Sequence, residues 1–255
     1  MTIPPSIQTA LALADSGWHP ILMQGLQAMQ AADSAYLPAL AEDDYLPNGN
    51  RLFAAFAQPL DRVRYVLVGE GPYPRTESAT GVCFMDGAVG SLWSETGLSK
   101  QVNRATSLRN FMKMLLVADG QLDPAQTSGA ALEPVANQAL AQDSGMIQTL
   151  KDLQGNLTGQ GFLLLNAALV FRPHVAPVKD AKAWRPFLQA VLHALAQRAD
   201  PPMLVLWGKI AEQLQALPDV NLFPQAVSEH PYNLSFIGNA KMQALFGPMR
   251  LLEKT

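Results

Sequence analysis

Four short apolar runs separated by helical patterns constrain this chain more than anything else in it. Val63 to Val68 reads VRYVLV, rich in β-branched residues, and stops at Gly69, as a buried parallel strand does. Similar runs recur at Phe162–Leu165, Met203–Leu206 and Val220–Phe223. Between them the apolar residues fall into helical spacing, at Ser107–Val117, Ala181–Arg198 and Lys209–Leu217. Strands alternating with helices predict an α/β fold: a three-layer α/β/α sandwich with a short, mostly parallel central sheet. In such sheets ligands bind beyond the carboxyl ends of the strands. The loops that begin at Gly69, Asn166, Gly208 and Pro224 are therefore the ones to read for chemistry.

Upstream of the first run, residues 1–60 read as an N-terminal helical extension, with Pro-Asn-Gly-Asn at 47–50 as a turn cluster. Residues 61–255 are expected to form a single compact unit, since no linker or repeat divides them. Residues 119–160 are small, polar and Ala-rich, and read as a helix-containing surface excursion. A chain of 255 residues, 49% hydrophobic, can bury a large core. The lone cysteine, Cys83, can form no internal disulfide and cannot supply a zinc or iron–sulfur ligand set. No metal and no cofactor is expected. The N-terminus lacks a basic segment followed by an apolar one, and no apolar run is long enough to cross a membrane. A monomer in the cytoplasm, away from membranes, is the expectation. With 18 Lys+Arg against 21 Asp+Glu, the chain has no excess positive charge to attract a polyanion. Any nucleic-acid binding has to come from a local patch, for which Arg75, Arg109, Arg172, Lys179 and Lys241 are candidates.

The loops then become specific. The first reads Gly69-Glu70-Gly71-Pro72-Tyr73-Pro74, followed by Gly81-Val82-Cys83-Phe84. A helix opens Ser107-Leu108-Arg109-Asn110, the second strand runs Leu163-Leu164-Leu165-Asn166, and the third ends Leu206-Trp207-Gly208. The last loop holds His230-Pro231-Tyr232-Asn233-Leu234-Ser235. In this order the segments resemble the uracil-DNA glycosylase superfamily, nearest its main bacterial and eukaryotic type. There the motifs read Gly-Gln-Asp-Pro-Tyr-His, Gly-Leu-Ala-Phe, Ser-Leu-Arg-Asn, Leu-Leu-Leu-Asn, Leu-Trp-Gly and His-Pro-Ser-Pro-Leu-Ser. The resemblance covers roughly residues 62–252.

What it implies is removal of a damaged base from single- or double-stranded DNA. The base is flipped out of the stack and read on its Watson–Crick edge. Asn166 would be the uracil reader, its amide donating to O4 and accepting from N3–H. By itself an Asn there more often closes a strand end on its own backbone; beside the other motifs the base-reading role is preferred. Phe84 would stack on the base and Tyr73 would exclude a C5 methyl; residue type alone also allows a core Phe and a half-buried loop Tyr. His230 would donate to O2 of the departing base. Leu234 would be the wedge that fills the stack, with a core leucine as its rival reading. Ser107 and Ser235 would hold phosphates, although Ser107 could be only the N-cap of its helix. Arg109 and Lys179 would lie on the DNA side.

The resemblance breaks at positions that carry chemistry. Gly71 stands where the family has the Asp that orients the water and balances the cationic sugar. Pro74 stands for a His, Tyr232 and Asn233 for Ser and Pro, and Lys179 for a supporting His. Losing a positioned catalytic group typically costs ~10²–10⁴ in rate. Glu70 is the candidate substitute: the iron–sulfur branch of the superfamily has Gly-Glu-Ala-Pro-Gly in this loop, though the cysteine count excludes its cluster. Glu70 could place the water or be a solvated loop charge. The function expected is hydrolysis of the N-glycosidic bond of a flipped, deaminated base, uracil first, in base-excision repair. The alternatives are a weak or inactive binder of damaged or single-stranded DNA, and a glycosylase for another base.

Overall fold

The first predicted strand is β1, Tyr65–Gly69, and it is the centre of the sheet in the computed structural model, which describes residues 2–255. On one side it pairs in parallel with β2, Phe162–Asn166, from Tyr65↔Phe162 to Gly69↔Asn166. On the other it pairs in parallel with β3, Met203–Trp207, from Tyr65↔Met203 to Val68↔Leu206. Every residue of β2 is buried, which is why it reads as a continuous apolar run rather than an alternating one. The fourth strand, β4, completes the order β2-β1-β3-β4. This is the expected α/β sandwich with a short, mostly parallel sheet.

The fourth strand lies later than the sequence suggests. Val220–Phe223 is not a strand; Val220–Leu222 forms a 3-10 turn after Asp219, and β4 is Gln225–Ser228, beyond Pro224. β4 sits at the sheet edge and buries only Ala226 fully, so it carries none of the apolar density by which the others were found. The loop that follows it consequently starts at Glu229, not at Pro224.

The chain divides into two compact units. The first comprises the chain up to Gly87 with Gly161–Leu206 and Ile210–Gln225; the second comprises Ala88–Gln160, Trp207–Lys209 and Ala226–Thr255. In the first unit, helix α1, His19–Ala32, packs on the long helix Pro177–Ala196. Gly25 makes the approach possible, since a Cβ there would stand 2.7 Å from the Phe187 ring. Around this crossing Trp18, Phe53, Phe56, Trp184 and Phe187 form an edge-to-face aromatic core. The long helix begins at Pro177, ahead of the apolar pattern that predicts Ala181, because Pro is pre-organised for the first helical turn.

In the second unit, helix α2, Thr106–Ala118, buries Phe111 against Trp207 and Phe246. Residues 119–160 are no surface excursion. They contribute α3, Gly129–Leu140, and α4, Leu150–Gly159, and bury Leu132, Val135, Ala136, Met146, Ile147, Leu153 and Leu157. Helix α5 is the long helix of the first unit, Pro177–Ala196, and α6 is Ala240–Phe246. No described helix is long and apolar enough to cross a membrane, and no described cluster of His, Cys, Asp and Glu could hold a metal ion.

Candidate functional site

In the first unit the site grows from the carboxyl ends of β1 and β2. Register places Gly69 beside Asn166, and the pairing continues into the loops: Ala167 N–H donates to Gly69 O at 2.8 Å and Ala168 N–H to Glu70 O at 3.1 Å. Gly69 must lack a side chain. A Cβ there would stand 2.9 Å from both Asn166 Oδ1 and Cys83 Cβ. The Asn166 side chain is therefore held in a space kept clear for it. It is 3% exposed, and its Oδ1 is buried with no hydrogen-bond partner. An orphaned buried acceptor typically costs ~1–3 kcal/mol, so its persistence points to a ligand that would satisfy it. The reading of Asn166 as an Asn closing its own strand end is not what the geometry shows.

Phe84 stands near this amide through its neighbour. Cys83 N–H donates to Leu164 O at 3.1 Å, and the buried Cys83 thiol donates to Leu67 O at 3.2 Å, clamping the segment over both strands. Burial pushes that thiol far above its ordinary range. Phe84 itself has φ 67°, a left-handed conformation rare for an aromatic residue and costly by about 1–2 kcal/mol. Strain of this kind persists where surrounding structure over-determines it, often at ligand sites. Gly81, at φ 90°, supplies the turn before it, and a Cβ there would lie 2.4 Å from Arg51 O. The Tyr73 hydroxyl donates to Phe84 O at 3.4 Å, so the Tyr73 and Phe84 segments brace each other. Burial first, then the negative charge of Asp86, keeps the Tyr73 phenol protonated. Glu70 and Gly71 are both exposed at the rim. Gly71 has an ordinary φ, and a Cβ added to it would meet only Ala168 O, at 3.7 Å.

In the second unit the last loop is built around His230. Tyr232 N–H donates to His230 Nδ1 at 3.1 Å. With Nδ1 accepting, a neutral ring carries its proton on Nε2 and presents a donor there. Gly208 lies at φ 67° with its N–H on Ser228 O, and a Cβ would come 2.9 Å from His230 Cβ. This is the physical reason for glycine after Trp207. Asn110, wholly buried on α2, donates through Nδ2 to Pro231 O at 2.7 Å, Tyr232 O at 3.3 Å and Asn233 O at 3.4 Å. Arg109 Nη1 donates to Asn103 O, and Nε reaches Asn110 Oδ1 at 3.4 Å. Trp207 packs edge-on against Phe236, which anchors the chain just after the exposed Leu234 and Ser235.

Several sequence expectations change here. Ser107 is not an N-cap; Ala105 is, without a side-chain bond, and Ser107 is the second residue of α2. Leu234 is 69% exposed, which rules out the core reading. Arg172 is not a surface cation for DNA: it pairs with Asp180 at 2.5 Å and Asp43 at 2.9 Å, its side chain only 10% exposed. Lys179, next to Asp180, is exposed in the first turn of α5. Asn110 and Gly208 both lie in quoted motifs, yet their roles as supports of the His230 loop were invisible, because the sequence does not show which carbonyls or Cβ they face.

The first unit thus carries a buried Asn166 with an unpartnered Oδ1 at a strand end, and the second a His230 whose Nδ1 accepts from the loop backbone. Residues 57–249 match the family model for the uracil DNA glycosylase superfamily, and the chain belongs to that superfamily. It is 31% identical over 229 residues to a uracil-DNA glycosylase of Corynebacterium glutamicum, covering 88% of this chain and 82% of the relative. To the uracil-DNA glycosylase of Thermobifida fusca it is 30% identical over 226 residues, again covering 88% and 82%. Among solved structures, UNG from Nitratifractor salsuginis superposes with a TM-score of 0.89 at 41% identity, covering 100% of both chains. Mimivirus uracil-DNA glycosylase, at TM-score 0.54 and 18% identity, shares the fold.

Proposed function

We propose that this protein hydrolyses the N-glycosidic bond of uracil in DNA, as the first step of base-excision repair. The observation that carries the reading is Asn166: a buried amide, spaced by Gly69, whose Oδ1 has no partner and can accept from the N3–H of a uracil ring. The names of its relatives support the same substrate. In this reading Phe84 stacks on the base, Tyr73 blocks a C5 methyl, and His230 donates from Nε2 to O2 as negative charge grows on the leaving base. Leu234 fills the stack, while Ser107, Ser235, Arg109 and Lys179 meet the backbone. Glu70 is the one carboxylate of the first loop able to place the attacking water. The protein works as a monomer in the cytoplasm and needs no cofactor.

The test is uracil release from single- and double-stranded oligonucleotides, beside hypoxanthine and undamaged controls. Wild type should release uracil, and Asn166→Ala should abolish both cleavage and binding of free uracil. Release by Asn166→Ala at the wild-type rate would remove Asn166 from the mechanism.

Gly71 favours a second reading, a catalytically weak protein that retains uracil-containing DNA. The carboxylate the family uses is absent there, and Glu70 beside it is exposed. Uracil-dependent retention without release in the same experiment selects this reading over the first.

A further inference from the structure

Tyr73 and Phe84, the proposed wall and stacking platform of the base pocket, each stand two residues before one end of the same ion pair. Arg75 follows Tyr73 by two positions, and Asp86 follows Phe84 by two. Arg75 Nη2 lies 3.5 Å from Asp86 Oδ2. With Asp180, Asp86 is one of two buried carboxylates among the described residues, its side chain only 12% exposed. No step of the proposed reaction uses either member of the pair.

The segment between Tyr73 and Asp86 is closed on itself. Ser78 and Ala79 N–H both donate to Arg75 O, at 3.1 and 2.9 Å, which fixes the Arg75 backbone. Ala79 and Asp86 form an antiparallel bridge, and Gly87 N–H donates to Ser78 O at 3.1 Å. Thr80 Oγ1 donates to Met85 O at 2.9 Å, which ties the segment again just after Phe84. Across the pocket itself the brace is weaker. The Tyr73 hydroxyl reaches Phe84 O at 3.4 Å, a long hydrogen bond. The ion pair spans the same gap one step further out. A carboxylate held out of water needs its counter-charge close. Arg75, tied at its backbone, therefore draws the Tyr73 side of the segment toward the Phe84 side.

We propose that the Arg75–Asp86 pair sets how closely Tyr73 approaches Phe84, and so determines how strictly the site refuses a pyrimidine substituted at C5. The inference rests on the reading of Tyr73 and Phe84 as the residues that hold the base. Arg75 and Asp86 act through them and are positioning residues. Removing the guanidinium takes counter-charge away from a buried carboxylate, which recovers stabilisation by turning toward water. The Tyr73 side of the segment is then free to move away from Phe84, and a C5 methyl enters the space. The Arg75 side chain is 59% exposed, so water screens the pair and the effect is moderate.

The experiment measures binding of free uracil to the whole chain by calorimetry, and of free thymine by competition with uracil. The readout is the ratio of the two dissociation constants. Wild type should favour uracil. Arg75→Ala should reduce that preference by about three- to fivefold, chiefly through tighter thymine binding. Arg75→Lys, which keeps the charge, should restore the wild-type ratio. Adding Asp86→Asn to Arg75→Ala removes the charge that needed a partner, and should also move the ratio back toward wild type. An unchanged ratio in Arg75→Ala overturns the inference. So does an equal loss of both bases, which marks a pair that only supports the fold, and so does a Lys variant that behaves as Ala. A wild type that binds the two bases equally overturns it as well. A wild type that binds neither base sinks the base-pocket reading and this inference together. A wild type that binds uracil but never cleaves it from DNA, with the Arg75→Ala shift intact, sinks only catalysis.

Discussion

In the proposed reaction, Gly71 and Glu70 are the residues expected to set the rate of the chemical step. A carboxylate at position 71 would face the sugar where positive charge grows, stabilising the transition state more than the bound substrate. The backbone there is not left-handed, and a Cβ would have only Ala168 O in ordinary contact, so an Asp side chain fits without strain. Gly71→Asp should therefore raise kcat for uracil release, by at least ~10-fold given the ~10²–10⁴ that such a group typically contributes. Single-turnover kinetics on a uracil oligonucleotide would show it. Glu70→Gln should lower the wild-type rate in the same assay. A rate that responds to neither change would mean that another group places the water. Of this pair the family resemblance implies a missing carboxylate, from the order of residues in the motif. It does not show whether position 71 could accept one, because that depends on a φ angle and a neighbouring carbonyl. Asn166 stood out in the sequence as a candidate reader of the base; what the sequence could not contain was the unpartnered oxygen, which exists only once Gly69 and Cys83 surround it.

Among the elements, the loop from Glu229 to Asn239 depends most on parts distant in sequence. Its carbonyls converge on Asn110 Nδ2, and Glu229 Oε2 accepts from Asn239 Nδ2 at 2.8 Å, closing the loop on itself. Asn110→Asp should damage activity more than Asn110→Ala. The alanine only removes donors, whereas aspartate turns a carboxylate oxygen toward three carbonyl oxygens in a buried site. Expected results are a fall in kcat/KM larger for Asp than for Ala, and faster amide hydrogen exchange at residues 232–236. Equal exchange in both variants and wild type would show that Asn110 does not hold the loop. The elements themselves were legible in proportion to their burial. β2 and α2 carry dense apolar patterns and were found close to their true ends. β4 is an edge strand and was displaced onto the 3-10 turn before it, while α3 and α4 were hidden because alanine and polar residues make up most of their faces.

At the scale of the whole chain, Arg172 joins segments far apart in sequence. It bonds Asp180 and Asp43, lies 5.5 Å from the centre of the Tyr36 ring, and Tyr36 O–H donates to Asp180 at 2.7 Å. Since Asp180 is 1% exposed, Arg172→Ala would leave its charge buried and largely unpaired. Breaking such a pair costs ~3–5 kcal/mol, a fall in Tm of roughly 10 °C for a protein of this size. Arg172 holds the Asp43 carboxyl below the usual carboxylate range, so its contribution is present above about pH 4 and lost in acid. Burial and Asp180 hold the Tyr36 phenol well above the usual range of a phenol, so its contribution is present below about pH 10 and lost in alkali. The contribution of this cluster should therefore be constant between about pH 5 and 9, and the difference between wild type and Arg172→Ala should shrink below that window as Asp43 takes up its proton. A constant difference from pH 3 to 11 would show that the cluster does not titrate as described. None of this was legible: Arg172 reads as a loop cation, and only the fold brings Asp43 and Tyr36 to it.

The path of the chain through its two units bears on descent. Each unit is stitched from three stretches, and Trp207–Lys209 interrupts the first for only three residues before the chain returns. No single stretch of gene encodes either unit, so neither can be gained, lost or exchanged by joining one continuous DNA segment to another.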